Sequence, residues 1–270
     1  MKVYEIANDY DEELHDIKEF ICGTEYEIED VKALIAPNGT VLNVNSLAEK
    51  EPVWIGEVGF MRDNSLRNNG VEVVTAPCDY DTALSLFKKI HTDYVKVGED
   101  AYTARTSIHV HVNVLPWTLE QLDSFVLLYA LLEPVFFSRA EGRKHNIHCV
   151  PLNFTSLPVK YSVGVSHLLQ MWSKYTAFNL LPIKTLGTVE FRHLHGTGDY
   201  TTYLQWLFLI KSLWTYINSR PNISRDSVKS LLEKYNTIQI AHQVLENVHY
   251  INFSNIDFSV STIDVKLAFI

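Results

Sequence analysis

The chain has 270 residues, 47% of them hydrophobic and 12% aromatic, enough apolar material for a buried core and too much for a disordered chain. Its formal net charge is −9 and no Lys/Arg-rich run stands out, which argues against general nucleic-acid binding. Cys22, Cys78 and Cys149 are far apart and form no Cys-x-x-Cys pair, so a reducing, cytoplasmic setting fits better than a disulfide scaffold.

The first nine residues are acidic and lack the apolar core of a signal peptide. Residues 9–20 read as a short helix, and a strand over 23–30 runs on towards Leu34. Pro37-Asn38-Gly39 marks a turn between extended runs at 31–35 and 40–44. Residues 54–60 read as the next strand and 71–75 as another, ending before Pro77. Asp79 or Asp81 then caps a helix reaching about Val97. After the strand at 107–114, Thr118 caps a helix whose apolar body extends to Phe137. Residues 138–165 are polar and irregular, 166–177 read as helix, 188–197 as strand, and a helix follows to about Ile217. A polar C-terminal piece is helical over 224–250. The apolar stretches 124–137 and 203–217 are shorter than the ~18 residues of a membrane span and read as buried helices, so no membrane association is expected. Irregular alternation of strands and helices, with turns too short for parallel crossovers, indicates an α+β fold with a largely antiparallel sheet, read as one domain.

Four of these strands carry chemistry on a single face. Strand side chains alternate with period two, so Glu25, Glu27 and Glu29 are placed together, as are His109, His111 and Asn113, and Glu190 and Arg192. Glu72 sits in the fourth strand. Any half-buried antiparallel strand has a polar side, usually just solvated. Solvated faces mix Lys with Glu, however, and none of these four strands contains a lysine. Carboxylates gathered without counter-charge raise one another's pKa unless cations neutralise them, and divalent metal is the economical explanation. Glu-x-Glu suits a hard cation such as Mg²⁺, and His-x-His suits a transition metal or a nucleotide phosphate. Arg192 beside Glu190 is either a structural ion pair or a group that neutralises charge during transfer. Gly196-Thr197-Gly198-Asp199 opens a helix, as an anion site or a plain turn would. Walker and Rossmann glycine patterns are both missing from the sequence.

An ordered set of motifs points further. Gly23-Thr-Glu-Tyr-Glu27, Asp63-Asn-Ser-Leu-Arg67 with Gly70-Val-Glu-Val-Val-Thr-Ala-Pro77, and Ser107-Ile-His-Val-His-Val-Asn113 come first. Ser138-Arg139, Lys174-Tyr175 with Asn179, and Thr188-Val-Glu-Phe-Arg192 with Gly196-Thr197 follow. Together they resemble the putative amidoligase family, carboxylate–amine ligases of bacteria and phages related to glutamine synthetase and glutamate–cysteine ligase. The resemblance covers residues 23–214. It implies a glutamine synthetase-like curved, mainly antiparallel sheet with helices on its convex face, and a concave face that binds ATP with Mg²⁺ or Mn²⁺. The chain is read as a catalytic domain at 1–223 and, beyond the resemblance, a helical extension at 224–270 packed on it. By motif, Glu25, His109 and Glu190 would hold the metal that bridges the ATP phosphates, and Glu27 and Glu72 the metal nearer the substrates. His111 would contact the nucleotide, Arg192 the transferring phosphoryl group, and Arg139 or Arg143 a phosphate or substrate carboxylate. Glu29 has no counterpart in the motif. Asn64 stands where glycine is common and Asn113 where Asp or Ser is often found.

The implied function is an ATP-dependent amide-bond-forming ligase acting through an acyl phosphate on small-molecule, peptide or protein substrates. One rival is a Zn²⁺ hydrolase built on His109, His111, His145 and His148, which the carboxylate-rich site disfavours. Another is a non-catalytic structural or interaction protein that kept the fold. The sequence leaves the oligomeric state open.

Overall fold

The structure is a computed structural model that describes residues 1–140, 142–155 and 164–269. Parts of the stretch read as irregular (141 and 156–163) and the last residue of the C-terminal piece lie outside the described residues. The strands are β1 (Ile21–Ile28), β2 (Val31–Ile35), β3 (Val41–Leu42), β4 (Val53–Ile55), β5 (Val58–Arg62) and β6 (Val71–Thr75). They continue with β7 (Cys78–Asp79), β8 (Val95–Val97), β9 (Ser107–Asn113), β10 (Phe178–Asn179) and β11 (Thr188–His195). The helices are α1 (Tyr80–Lys89), α2 (Leu119–Arg139), α3 (Val165–Leu168), α4 (Ile183–Leu186) and α5 (Tyr200–Asn218). α6 (Arg225–Lys234), α7 (Thr237–Val244) and α8 (Ser259–Leu267) complete the chain. This is a mixed fold of helices and mainly antiparallel sheet, with two compact units. A sheet unit holds Ile21–Val112 and Leu194–Leu207, and a helical unit holds Met1–Phe20, Asn113–His193 and Phe208–Ile270.

In the sheet unit, β9, β1, β6, β5 and β4 lie side by side and antiparallel, and β7 pairs with the start of β1. A smaller sheet has the order β3-β2-β8. Burial alternates along β1 without a break: Cys22, Thr24, Tyr26 and Ile28 are buried, and Gly23, Glu25 and Glu27 are half-buried. The buried face meets an aromatic cluster. Tyr203 stacks on Phe87 of α1 with ring centroids 4.3 Å apart, and Phe87 meets Tyr26 edge-on at 5.8 Å. The hydroxyls of Thr24 and Tyr26 lie 3.0 and 3.1 Å from the Tyr203 hydroxyl, which satisfies these buried polar groups among themselves.

Several elements differ from the sequence reading for local reasons. Residues 9–20 form no α-helix, only a 3₁₀ turn at Glu12–Leu14. Asp9, Glu12, Glu13 and Asp16 lie three or four apart, so a helix would stack like charges. The run to Leu34 breaks at Asp30, whose φ of 51° turns the chain from β1 into β2 of the other sheet. Residues 54–60 are not one strand but the β4–β5 hairpin, turned at Gly56 with φ 65°. Asp79 caps α1 through Thr82 N, but the helix ends at Lys89, passes through a π turn at Ile90–Tyr94 and becomes β8. The helix expected over 166–177 is confined to α3, and 224–250 is broken into α6 and α7.

The helical unit is built on α2. Thr118 caps it, with Gln121 closing the capping box. At 21 residues α2 is long and apolar enough to cross a membrane by length and composition, but 83% of its most apolar window is buried. Tyr129 stacks on Phe178 at 4.1 Å and Phe136 on Phe191 at 5.5 Å, so α2 packs on the face of β10 and β11 that carries these aromatics. Burying each such ring contributes about 1.5–3 kcal/mol. The C-terminal helices close over α2 from another side, through Ser261 Oγ to Leu131 O at 2.9 Å and Arg225 to Asp123 at 2.8 Å.

Ionisable groups interrupt this core, Glu133 among them. Glu133 is buried in α2, and its carboxylate accepts from Leu152 N at 2.7 Å, Tyr129 OH at 2.9 Å and Asn153 N at 3.4 Å. Burial outweighs these bonds and pushes its pKa up from 4.5 to about 7. The folded state therefore holds the Glu133 proton more tightly than the unfolded chain does. The resulting stabilisation is complete below about pH 4.5 and is lost as pH rises through about 7. Glu133→Gln removes the titration and keeps an acceptor oxygen. Unfolding free energies measured from about pH 5 to about pH 8.5 should move in favour of the variant, by a total of about 3 kcal/mol. A difference independent of pH would contradict a buried, titrating Glu133.

Candidate active site

The sheet unit gathers Glu25, Glu27, Glu72, His109 and His111. The β1–β9 register sets Glu25 opposite His109 and Gly23 opposite His111. Residues directly opposite in an antiparallel pair bring their Cβ atoms within about 4.5–5.5 Å, and diagonal neighbours remain within reach of long side chains. Glu25 accordingly takes an imidazole on each oxygen, His109 Nδ1 at 3.0 Å and His111 Nε2 at 3.1 Å. Burial alone would raise the Glu25 carboxyl, but the charge of His111 and hydrogen bonds from both imidazoles outweigh it and hold the group well below the ordinary carboxylate range.

On the other side of β1 the register sets Glu27 opposite Glu72 of β6. Two carboxylates facing across a strand pair repel, typically by 0.2–1 kcal/mol or so. Ser107 Oγ donates to Glu27 Oε2 at 2.5 Å and lies 2.9 Å from His109 Nε2. Glu25, Glu27 and Glu72, with two imidazoles, offer the oxygen-rich donor set that hard divalent cations take. The fit to Mg²⁺ or Mn²⁺ is therefore good on donor chemistry, with Glu27 and Glu72 directly opposed in register.

Glu29 does not belong to this face. β1 ends at Ile28, so the alternation stops one residue short of Glu29. The side chain is buried and accepts from Arg67 N and Thr103 Oγ1, both at 2.8 Å, with Arg105 Nε 3.9 Å away. It ties the loop before β6 to the loop before β9.

The helical unit holds Glu190, Arg192, Arg139 and Arg143. Glu190 is buried, paired in register with Asn179 of β10, and receives Asn179 Nδ2 at 2.7 Å and Arg192 Nη1. Asn179 is thus the group that orients Glu190, a role its place in the sequence motif did not reveal. Arg143 is only 6% exposed and donates to Arg192 O at 3.3 Å. The Nε atoms of Arg143 and Arg192 are both buried with no hydrogen-bond partner among the described residues. Two guanidiniums with unused donors are suited to an anion, in bidentate fashion. Arg139 instead lies over the Tyr250 ring, 5.6 Å from its centroid. His145 and His148 are exposed, and His148 rests edge-on against Tyr175.

The two glutamates of β1's end should respond oppositely to neutralisation. Glu27→Gln relieves repulsion with Glu72 and should leave the metal-free protein as stable or more stable, by up to about 1 kcal/mol. Glu29→Gln disturbs buried hydrogen bonds and should cost about 1–3 kcal/mol. Thermal unfolding in EDTA checks both, and an equal loss in the two variants would mean that Glu27 is not under charge repulsion.

Comparison with known proteins bears on the family. The sequence profile of the family described as "putative amidoligase enzyme" matches residues 9–214. No curated protein matches the chain significantly in sequence. Among solved structures, a bifunctional glutathione synthetase from Pasteurella multocida is similar at 10% identity with a TM-score of 0.47. That match covers 96% of this chain, which spans only 51% of the synthetase. With its family profile matched across 9–214, the chain belongs to the putative amidoligase enzyme family.

Proposed function

We propose that the protein is an ATP- and Mg²⁺-dependent carboxylate–amine ligase that forms an amide bond through an acyl phosphate, on a glutamine synthetase-like curved sheet. The observation that carries the reading is the lysine-free acidic face of the sheet unit, where Glu27 and Glu72 stand directly opposed beside a Glu25 held ionised by two imidazoles. Membership of the amidoligase family supports it.

In this reading Glu25 and His109 would hold one ion, and Glu27 and Glu72 would hold a second. When bound, Mg²⁺ or Mn²⁺ would neutralise and orient the ATP phosphates. His111 contacts the nucleotide. The substrate carboxylate attacks the γ-phosphorus, ADP leaves, and the amine then displaces phosphate from the acyl carbon. Little covalent chemistry falls to the protein in phosphoryl transfer, so positioning and charge neutralisation are its main contributions. Arg192 keeps Nη1 on Glu190 and turns its remaining donors to the transferring phosphoryl oxygens. Arg143 serves a second phosphate or the acid substrate, which we favour over Arg139 because Arg143 is the buried neighbour of Arg192. The hydrolase alternative loses ground because His145 and His148 are exposed and offer no enclosed ligand pair.

Arg192→Ala should lower kcat by about 10²–10³ while ATP affinity changes much less. Arg192→Lys should recover little, because an ammonium cannot reproduce the planar fork. Single-turnover rates and melting temperatures measured side by side decide the matter. A normal rate per folded molecule with a lowered Tm would reduce Arg192 to a structural partner of Glu190.

A further inference from the structure

Ser107 starts β9 two residues before His109, so the two side chains share a face of the strand. The serine is 3% exposed, and its hydroxyl stands between two groups already assigned to different ions: Glu27 Oε2 at 2.5 Å and His109 Nε2 at 2.9 Å. The other ring nitrogen, Nδ1, lies 3.0 Å from Glu25 Oε2. Glu27, Ser107, His109, Glu25 and His111 thus form one continuous polar chain across β1 and β9.

Counting protons orients that chain. A serine hydroxyl carries one proton and can also accept. A carboxylate oxygen is a stronger acceptor than a ring nitrogen, and the Ser107–Glu27 contact is the shorter of the two. The hydroxyl therefore donates to Glu27 and accepts from His109, which places an imidazole proton on Nε2. Nδ1 faces the Glu25 oxygen, to which it donates in the metal-free protein. A divalent cation taking the place of that proton would contact both atoms, which stand 3.0 Å apart.

We propose that Ser107 is a positioning residue that holds His109 in its Nε2–H form and so presents Nδ1, side by side with Glu25, to a divalent cation. The inference rests on the metal assignment of the ligase reading and deepens it. Metal-binding histidines commonly donate their second N–H to an oriented oxygen, which fixes both tautomer and ring plane. Here the oxygen belongs to a serine that is itself fixed by Glu27, a ligand of the second proposed ion. One hydroxyl thereby couples the two ion positions.

The test is Mn²⁺ binding to the full chain without nucleotide, followed by electron paramagnetic resonance, for the parent protein, Ser107→Ala and Ser107→Thr. Ser107→Ala should weaken binding by about 10–100-fold, and Ser107→Thr, which keeps the hydroxyl, should bind within a few-fold of the parent. Long-range ¹H–¹⁵N spectra of the imidazoles in the metal-free protein, with the His109 ring assigned by its loss in His109→Gln, should show a proton on Nε2 in the parent. A parent that binds Mn²⁺ and a Ser107→Ala that binds equally well would overturn the role of Ser107 and leave the metal reading standing. That holds even if the variant's Tm falls, since a merely structural serine affects stability alone. A parent that binds no Mn²⁺ would overturn the metal reading and this inference with it. Should Ser107→Ala fail to fold, the parent spectrum decides, because a ring protonated at Nδ1 alone contradicts the proposal.

Discussion

The register of β1 between β6 and β9 is the constraint on which the sheet unit depends. It sets Glu25 against His109, Glu27 against Glu72, and Gly23 against His111, whose imidazole reaches Glu25. A slip of one residue would turn these charges into the aromatic cluster and expose Tyr26. The cluster prevents it. Tyr26 and Thr24 are tied by hydroxyl to Tyr203, and Tyr203 is stacked on Phe87 of α1. The apolar side of the strand thus holds the polar side in an arrangement that electrostatics alone would disfavour.

That arrangement has the character of a functional site rather than of a stabilised surface. A lysine opposite Glu27 would relieve the repulsion, yet the register places Glu72 there. Local rules are broken most often where chemistry requires it, and the stability lost is recovered elsewhere in the fold. In the helical unit the same logic appears in the guanidinium pair, where Arg143 and Arg192 keep buried Nε donors without partners among the described residues. Glu133 is different. Its carboxylate is fully engaged by Tyr129 and by the backbone at 152 and 153, so it organises the chain after α2 at the expense of a buried charge.

Much of this was legible in the sequence because strand side chains alternate with period two. Glu25 and Glu27, His109 and His111, and Glu190 and Arg192 could each be put on a face from spacing alone, and Thr118 announced the start of α2. The misplacements share a cause. Glu29 continues the spacing of Glu25 and Glu27, but spacing does not say where a strand ends, and Asp30 turns the backbone just beyond it. Residues 54–60 look like one strand until Gly56 folds them into a hairpin. The helix expected at 166–177 stops at Leu168, and the one expected at 9–20 would stack like charges. Ser107 and Asn179 were invisible as working groups. A short hydroxyl or amide acquires its role only from what the register places beside it, in these cases Glu27 with His109, and Glu190.

The central claim is that a carboxylate is activated by phosphoryl transfer from ATP. Oxygen-18 tracing tests it most directly. A panel of ¹⁸O-labelled carboxylic acids, each offered with an amine, ATP and Mg²⁺, is followed by mass analysis of the released phosphate and of the condensed product. An acyl-phosphate ligase transfers a single ¹⁸O from the accepted acid to the phosphate and yields an amide of the two substrates, with both signals lost in EDTA. Phosphate released without label and without dependence on any acid, or an amide formed without ATP, would contradict the account.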